Sequence, residues 1–485
     1  MTRVRGESQG PSLSRGRLMI GGLRGSSGKT VITLGLIGAL RQRGLLVQPF
    51  KKGPDYIDTA WHSLAAGRPG YCLDTYLMGP ARVVRHFRKN SPEAGFALIE
   101  GNRGLFDGVD VSGSYSTAEL AKLLKAPLLL VVDATKMTRT TAALVLGCQK
   151  LDPELNLGGV VLNQVSGARH QRVATEAIEA VCGIPVLGAV PRLAAVKAPE
   201  RHLGLITPEE TRAPEAWVAR MAEEIALYLE VEKIISLALC SGELPAAPDD
   251  EESAYRALRP VRIGVIRDSA FPFYYQENLE ALTRAGAELI WIRAIDDPVL
   301  PEVDALYIGG GFPETHAREL SGNHRFRGSL RSAVAAGLPV YAECGGAVYL
   351  GRKLSYQGRS YEMAGVLPVD FEFCGRPQGH GYTSWRVDQE NPFYKIGTQI
   401  TGHEFHYTRA KGPELAEAET ICEVQRGQGF DGRREGIRVR NVVAFYGHVH
   451  VLGCPEWAEG LARAAEQYAK ARDLGRGSEL VRAAS

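Results

Sequence analysis

Cys344 is the candidate nucleophile of this chain of 485 residues. It stands in the sequence Ala-Glu-Cys-Gly-Gly at residues 342–346, between a short apolar strand at residues 338–341 and a helix-like stretch. A strand that turns sharply into a helix exposes the side chain at the corner and aims the next backbone amides at a developing oxyanion. The pattern predicts a cysteine that attacks an amide, with the amide of Gly345 as an oxyanion donor.

A turn of three glycines at residues 309–311 follows the predicted strand at residues 305–308. It lets the backbone approach a substrate, so we expect the amide of Gly311 to be the second oxyanion donor. The alternative is a flexible connector. Cys344 also needs a base, because a thiol with an ordinary pKa of about 8.5 is only partly ionised near neutral pH. The chain has 11 histidines, so composition alone does not identify that base.

Residues 22–30, Gly-Leu-Arg-Gly-Ser-Ser-Gly-Lys-Thr, resemble a phosphate-binding loop between a strand and a helix. In such a loop the backbone amides and the helix N-terminus point at phosphate oxygens. We expect Lys29 to reach the outer phosphates and Thr30 to bind Mg²⁺ through its hydroxyl. The spacing is longer than the common one, and the alternative is a glycine-rich surface loop. The expected nucleotide-binding residues of the loop are Gly22, Gly25, Ser26, Ser27, Gly28, Lys29 and Thr30.

Carboxylates follow two predicted strands, at residues 51–58 (Lys-Lys-Gly-Pro-Asp-Tyr-Ile-Asp) and at residues 100–108 (Glu-Gly-Asn-Arg-Gly-Leu-Phe-Asp-Gly). In open α/β sheets, ligands bind at the carboxyl ends of the strands. Mg²⁺ prefers oxygen ligands, of which phosphates supply only some. Position and residue type together predict a magnesium and phosphate site here. The alternative is turn chemistry, because Gly-Pro-Asp and Phe-Asp-Gly are common turn sequences.

Composition narrows the class of protein. Apolar residues are 45% of the chain, charged residues are 23%, and the formal net charge is +2, which gives no indication of nucleic-acid binding. The 8 cysteines show neither zinc-ligand spacing nor the density of a disulfide scaffold, so we expect a reduced, cytoplasmic setting. The longest apolar run, residues 126–132, is far shorter than the roughly 20 residues that cross a bilayer, so no membrane association is expected.

Apolar strands alternate with helix-like segments twice along the chain, which is typical of sheets covered by helices on both faces. The predicted strands are residues 18–20, 45–50, 96–99, 128–132, 159–162 and 185–187, then 261–266, 289–292, 305–308 and 339–341. Residues 241–260 are rich in Pro, Glu, Asp and Ala and predict a linker. The predicted organisation is a tail at 1–16, a domain at 17–240, the linker at 241–260, a domain at 261–465 and a tail at 466–485.

These motifs together resemble the cobyrinate a,c-diamide synthase family over roughly residues 17–465. The resemblance is carried by residues 22–30, 50–58, 105–108, 199–205 (Pro-Glu-Arg-His-Leu-Gly-Leu), 342–346 and 402–407 (Gly-His-Glu-Phe-His-Tyr). It implies an α/β fold with two domains: a P-loop, doubly wound, mostly parallel sheet like that of dethiobiotin synthetase, followed by a class I glutamine amidotransferase domain. It also implies amidation of the a and c acetate groups of a tetrapyrrole, with ATP and glutamine as co-substrates.

The resemblance also assigns roles to single residues. It implies that His448 is the base of Cys344, with the histidines of residues 402–406 as competitors. His450 occupies the place where many amidotransferases carry a glutamate that orients the base, which leaves the third member of the catalytic set open. In the first domain it implies phosphate or metal contacts for Lys29, Thr30, Asp55 and Glu100, an acceptor or γ-phosphate contact for Lys51, substrate contacts for Asp58 and Asp107, and adenine contacts for Asn163 and Pro191.

Three matters stay open from the sequence. Asn102 and Arg103 are polar where cobalamin-pathway members of the family carry apolar residues, and this favours a sirohydrochlorin-type ring, such as sirohaem or the nickel form, as an alternative acceptor. A partition-type ATPase with an inactive amidotransferase module is the second alternative. Against it, the phosphate loop has no second lysine early in its sequence. The assembly is undetermined, with a homodimer as the candidate.

Overall fold

The computed structural model describes residues 16–92, 95–193, 200–201, 204–246, 255–412 and 418–483. Most of the predicted N-terminal tail, part of the predicted linker and part of the motif at residues 199–205 lie outside these ranges. The described residues form two compact units, the first within Met1–Thr75 and Pro80–Asp249 and the second within Tyr76–Gly79 and Asp250–Ser485.

The first unit is built on a parallel sheet of 7 strands in the order β3-β2-β4-β1-β5-β6-β7. The strands of this part of the chain are β1 (Gly16–Gly22), β2 (Val47–Lys52), β3 (Tyr71–Leu73), β4 (Phe96–Glu100), β5 (Leu128–Asp133), β6 (Leu157–Val165), β7 (Val186–Pro191), β8 (Glu200–Arg201) and β9 (Gly204–Leu205). The helices are α1 (Lys29–Gln42), α2 (Ile57–Ala66), α3 (Thr75–Met78), α4 (Pro80–Asn90), α5 (Thr117–Leu123), α6 (Thr140–Leu151), α7 (Ala168–Cys182), α8 (Pro214–Ala226) and α9 (Val231–Leu239).

The central strands of this sheet are apolar along their whole length. In β5 the residues Leu-Leu-Leu-Val-Val are all buried, and only the terminal Asp133 is partly exposed. Helices cover both faces of a parallel sheet, so its strands read as continuous apolar runs rather than alternating ones. This arrangement places the carboxyl ends of β1, β2 and β4, which are neighbours in the sheet, at one edge.

The second unit contains a sheet of 10 strands in the order β11-β10-β12-β13-β22-β21-β20-β17-β18-β23 and a sheet of 4 strands in the order β15-β14-β16-β19. Its strands are β10 (Val261–Ile266), β11 (Ala287–Ile292), β12 (Ala305–Ile308), β13 (Val340–Glu343), β14 (Lys353–Tyr356), β15 (Arg359–Glu362), β16 (Asp370–Phe373), β17 (Gly379–Val387), β18 (Gln399–His406), β19 (Thr408–Lys411), β20 (Thr420–Arg426), β21 (Arg434–Val439), β22 (Val442–Phe445) and β23 (His448–Val449). Its helices are α10 (Gln276–Arg284), α11 (Ala317–Gly322), α12 (His324–Ala335), α13 (Gly345–Leu350) and α14 (Glu456–Ala483).

The larger sheet of the second unit has a parallel part and an antiparallel part. Strands β11, β10, β12, β13 and β22 run parallel. From β22 onward every pairing is antiparallel. Alternate residues serve the two faces of the sheet, because Leu306 and Ile308 pack in one core cluster and Tyr307 in the other. The α/β fold class with two units is therefore confirmed.

Two features of the second unit differ from the sequence-based expectation. The histidine-containing region after β13 forms regular antiparallel strands rather than irregular chain. The last helix, α14, runs to Ala483, through most of the segment predicted as a tail. Among the described helices, none has the length and apolar character needed to cross a membrane.

Candidate active sites

Cys344 lies at the sharp corner between β13 and α13. Its φ of 48° and ψ of −105° are rare for a residue with a side chain, and such strain marks functional corners. The neighbouring backbone holds the corner in place, because Cys344 N donates to Phe445 O at 2.8 Å and Gly346 N donates to Gly309 O at 3.1 Å. Cys344 is 7% exposed, so it is buried rather than on the surface.

The two predicted oxyanion donors lie side by side next to Cys344. A Cβ placed on Gly345 would be 2.9 Å from Gly311 N. Gly345 is the first residue of α13, so its amide is among those that a helix leaves without an internal acceptor. This geometry is compatible with the expected oxyanion pair.

The side chains of His448 and Cys344 both lie next to Gly310. A Cβ on Gly310 would lie 2.4 Å from His448 Cε1 and 3.5 Å from Cys344 Cβ, so only a glycine allows this approach. Burial alone lowers the pKa of His448, but the neighbouring side chains of Cys344 and Glu343 outweigh burial and raise that pKa to about 9. The expected base therefore lies beside the expected nucleophile.

Glu343 is a member of this cluster that the sequence did not identify. Its Oε2 lies 3.5 Å from His448 Nδ1 and accepts a hydrogen bond from the Tyr307 hydroxyl at 3.1 Å. Its Oε1 accepts from Val449 N at 3.1 Å. The side chain is 1% exposed. A buried glutamate at the end of an apolar strand is itself a signal, because carboxylates are almost never fully buried unless they are paired.

The other histidines have different partners. His450 Nε2 lies 3.6 Å from Glu277 Oε1, and Leu452 N donates to His450 Nδ1, so the structure does not bring His450 to His448 Nδ1. His403 stacks on His448 with ring centroids 4.8 Å apart. His406 Nδ1 contacts Thr408 O at 2.8 Å. Neither competitor from residues 402–406 takes the place of His448 at Gly310.

The phosphate loop joins β1 to α1. Gly28, the N-cap of α1, has φ 92° and lies against Asn163, so a side chain here would strain the backbone and collide with Asn163 Nδ2. Ser26 also has a positive φ, of 57°. Ser27 is 2% exposed, and its Oγ has no hydrogen-bond partner among the described residues. A buried hydroxyl without a partner is compatible with a loop that binds an anion. Gly22 ends β1, and Gly25 lies in open space.

Lys29 and Thr30 are the first two residues of α1, directly after the loop. Lys29 Nζ donates to Arg24 O at 3.0 Å and to Arg103 O at 2.8 Å, across the mouth of the loop. Burial lowers the pKa of Lys29. Thr30 Oγ1 lies 2.9 Å from Glu100 Oε1 and 3.3 Å from Asp58 Oδ2.

Lys51 is the centre of a buried charge cluster. Its Nζ lies 2.6 Å from Asp58 Oδ2, 2.7 Å from Glu100 Oε1 and 3.7 Å from Asp55 Oδ2. Burial by itself lowers the pKa of Lys51, but these carboxylates outweigh burial and raise the pKa above its ordinary range. The pKa of Asp58 rises to about 6 through burial and the neighbouring charge of Asp55. The cluster thus combines a fixed cation with carboxylates of unequal acidity.

His62, in α2, completes this cluster and was also missed from the sequence. Its Nε2 lies 2.7 Å from Glu100 Oε2, and both side chains are buried. Burial alone raises the pKa of Glu100, but Lys51 and His62 outweigh burial and hold that pKa below its ordinary range. Glu100 is therefore kept as a carboxylate at the end of β4.

The remaining predicted residues lie around the loop with different partners. Asp107 Oδ2 accepts from Gly104 N at 2.9 Å and closes the turn after β4. Asn163 Nδ2 donates to Ser27 O at 3.0 Å, while its Oδ1 accepts from Gln164 N at 2.9 Å. The Asn163 amide is therefore engaged with the loop and its own strand. Pro191 ends β7.

The donor set around Thr30 fits Mg²⁺. The hydroxyl of Thr30 and the carboxylates of Asp58 and Glu100 converge within hydrogen-bonding distances, and all are hard oxygen donors. The family resemblance implied Asp55 as the metal carboxylate and Asp58 as a substrate contact. In the structure Asp58 is the aspartate next to Thr30, and Asp55 Oδ1 accepts from Asp58 N at 3.0 Å. In the described part of the chain no set of three His, Cys, Asp or Glu residues forms a metal cage. Magnesium here would need phosphate oxygens as well, as nucleotide-bound magnesium does.

Comparisons with known proteins match both units. Residues 18–206 match the family model of the CobQ/CobB/MinD/ParA nucleotide binding domain. Residues 262–455 match the model of the CobB/CobQ-like glutamine amidotransferase domain. The phosphate loop and the Cys344 corner thus fall in separate matched domains.

Relatives match over nearly the whole chain. The cobyrinate a,c-diamide synthase of Magnetococcus marinus is 44% identical over 453 residues, which are 92% of this chain and 96% of that protein. The enzyme of the same name from Archaeoglobus fulgidus is 42% identical over 90% of this chain and 94% of its own length. That of Methanosarcina acetivorans is 38% identical over 94% and 96%.

Proposed function

Because the chain belongs to the cobyrinate a,c-diamide synthase family, we propose that it amidates the a and c acetate groups of cobyrinate with ATP and glutamine. The observation that carries the proposal is the presence of both halves of the chemistry in one chain. Cys344 and His448 meet at Gly310, and Lys29 and Thr30 lie beside the Lys51 cluster. The protein is accordingly an ATP-dependent, glutamine-hydrolysing amide ligase.

The second unit supplies ammonia. Because its pKa is raised, His448 takes and holds the thiol proton of Cys344, and the resulting thiolate attacks the side-chain amide carbon of glutamine while the carbonyl electrons move to oxygen. The amides of Gly311 and Gly345 stabilise that oxyanion. His448 then returns the proton to the departing nitrogen, so ammonia leaves and a thioester remains for water to hydrolyse.

The first unit activates the acceptor. An acetate carboxylate is a poor electrophile, and attack of its oxygen on the γ-phosphorus of ATP gives an acyl phosphate and ADP. Ammonia then displaces phosphate and forms the amide. Phosphoryl transfer depends on positioning and charge neutralisation, and Lys29 and Lys51 are the cations that supply them. When bound, Mg²⁺ neutralises phosphate charge, with Thr30, Asp58 and Glu100 as its protein oxygens.

Cobyrinate is the acceptor that the comparisons favour over a sirohydrochlorin-type ring, because the three relatives above all carry the cobyrinate name. The polar residues that suggested a shifted acceptor have a local structural role. Asn102 Oδ1 accepts from Arg103 N at 2.9 Å, and Asn102 N donates to Thr117 Oγ1 at 3.1 Å. Arg103 has φ 49° in this turn. A turn with these bonds accounts for the polar pair without a change of substrate.

The partition-type ATPase alternative is not supported. Full-length similarity to amide synthases extends across both units, and the Cys344 corner keeps its base. The cytoplasmic setting and a homodimer stay predictions. All 8 cysteines are free, which is compatible with a reducing setting.

The proposal is tested with purified protein, ATP, Mg²⁺ and glutamine that carries heavy nitrogen in its side-chain amide. The acceptors are cobyrinate, sirohydrochlorin and sirohaem in separate reactions, and the products are measured by mass spectrometry. We expect a heavy-nitrogen a,c-diamide of cobyrinate. Amidation of a sirohydrochlorin-type ring without any turnover of cobyrinate would contradict the proposal.

A further inference from the structure

We propose that Glu343 is the positioning residue of the glutaminase site and holds the His448 ring for proton exchange with Cys344. Glu343 immediately precedes the nucleophile Cys344. It thereby takes the role that, in many amidotransferases, belongs to a glutamate two residues after the catalytic histidine. This inference rests on the proposed roles of Cys344 and His448 and adds the third member of their set.

The first support is the contact itself. Glu343 Oε2 lies 3.5 Å from His448 Nδ1, and Glu343 Oε1 accepts from Val449 N at 3.1 Å. One carboxylate therefore touches both the ring of the base and the backbone that follows it. His448 stands in the strand β23, which has only 2 residues, so this tie fixes a segment with little secondary structure of its own.

The second support is that the carboxylate is itself fixed. Tyr307, in the neighbouring strand β12, donates its hydroxyl to Glu343 Oε2 at 3.1 Å. Glu343 and Tyr307 are both almost fully buried. A buried carboxylate that keeps its charge needs such donors, and a fixed partner on Nδ1 places the other ring nitrogen, Nε2, toward the nucleophile. Nε2 lies on the side of Gly310, where Cys344 is also found.

The chemistry explains why a carboxylate is useful there. When Cys344 gives its proton to Nε2, the ring becomes an imidazolium, and the charge of Glu343 compensates it until the proton moves to the departing nitrogen. No electrons or groups pass through Glu343. His450 cannot take this role in the observed arrangement, because its Nε2 faces Glu277 Oε1 at 3.6 Å.

The pH dependence of the glutaminase reaction depends on every charged or titratable group that faces His448. Cys344 and Glu343 come from the β13 corner and His403 from β18. The turn after β12 contributes Gly310, and β12 itself contributes the Tyr307 hydroxyl through Glu343. Burial lowers the pKa of His403 well below its ordinary value, so this ring stays neutral. Glu343 is therefore the carboxylate whose removal changes the charge state of His448.

The test measures glutaminase kcat/KM against pH in the full chain. Glu343→Gln removes the charge and keeps the shape, and we expect kcat/KM to fall by about 10²–10⁴-fold. The limb of the profile that reports His448 should move to lower pH. Glu343→Asp keeps the charge, so it should recover part of the kcat/KM and move the limb part of the way back toward its position in the parent protein. Tyr307→Phe should give a smaller loss in the same direction.

Glu435→Gln is the matched control, because Glu435 is also fully buried in this unit but contacts backbone amides rather than His448. We expect it to leave kcat/KM and the limb unchanged. The inference is overturned if Glu343→Gln keeps the limb of the parent protein, or if His450→Gln moves that limb instead. Ammonia-dependent amidation of cobyrinate is measured in parallel. Its absence in the parent protein would contradict the proposed acceptor and leave the glutaminase comparison intact.

Discussion

Lys51 balances the charge of the carboxylates that surround it at the end of β2. Its ammonium lies within 4 Å of three carboxylates and the side chain is 1% exposed, so solvent screens these charges only weakly. Removing one partner of a buried ion pair leaves the other charges uncompensated, which commonly costs about 3–5 kcal/mol. We therefore expect Lys51, at the end of β2, to contribute both to the stability of the first unit and to the chemistry of its site.

We predict that Lys51→Met abolishes synthesis with free ammonia, lowers the free energy of unfolding of the first unit by about 3–5 kcal/mol and leaves glutamine hydrolysis active. Denaturant unfolding and the two activity assays measure this. Lys150→Met, at an exposed lysine of α6, is the control and should change neither quantity. An unchanged free energy of unfolding in Lys51→Met would show that the charge of Lys51 does not stabilise the carboxylate cluster.

Single residues differ in how far the sequence reveals them. Cys344 was predicted because its neighbours in sequence create its geometry, and Lys29 for the same reason. Glu343 and His62 were missed, since their roles depend on His448 and Glu100, which are far away along the chain. Partners that only the fold brings together leave little trace in one sequence beyond the presence of a buried polar side chain.

At the scale of elements, the turn after β12 sets the distance between the base and the nucleophile. We predict that Gly310→Ala lowers glutaminase kcat/KM by at least about 10²-fold, because its Cβ would lie 2.4 Å from His448 Cε1 and must displace the ring. Ammonia-dependent synthesis should persist. Gly322→Ala, at the end of α11, has open space for its Cβ and should be neutral for glutaminase. Equal losses in both variants would contradict this reading.

Strand β21 carries a carboxyl group whose titration should weaken the second unit. Burial raises the pKa of Glu435 from 4.5 to about 8, so the folded state holds a proton that the unfolded chain releases. Its stabilising effect is complete below pH 4.5 and declines until the pH passes about 8. Over that interval we predict a loss of up to about 1.4 kcal/mol per pH unit.

Glu435→Gln stays neutral at every pH, so this contribution to the slope should vanish in the variant. Urea unfolding of the second unit at about pH 5.5 and about pH 7.5 measures the difference. A slope in the variant equal to that of the parent protein would mean that Glu435 is ionised in the folded state.

The predictability of the elements follows from their burial. Parallel strands such as β5 are apolar throughout, and the sequence located them to within a few residues. Strand β17 mixes buried, half-buried and exposed positions, and the antiparallel strands around it were not recognised. Partly exposed strands carry only a weak alternation of apolar and polar residues, and their stability depends more on the strands they pair with than on their own residues.

At the scale of the whole molecule, the two candidate sites lie in separate units. The phosphate loop and the Lys51 cluster lie in the first unit, and the Cys344 corner lies in the second. The order of domains could be predicted, because each begins with a recognisable strand and motif. The acceptor could not, since a macrocycle with many carboxylates is recognised by surfaces that no linear motif defines.

The most direct measurement compares glutamine-dependent and ammonia-dependent amidation of cobyrinate in Cys344→Ser and Lys29→Ala. We predict that Cys344→Ser loses glutamine hydrolysis and glutamine-dependent synthesis but keeps synthesis with ammonia, because its phosphate site is intact. Lys29→Ala should keep glutamine hydrolysis and lose synthesis from both nitrogen sources. Loss of ammonia-dependent synthesis in Cys344→Ser, in a protein that still folds and binds ATP, would contradict the division of chemistry between the two sites.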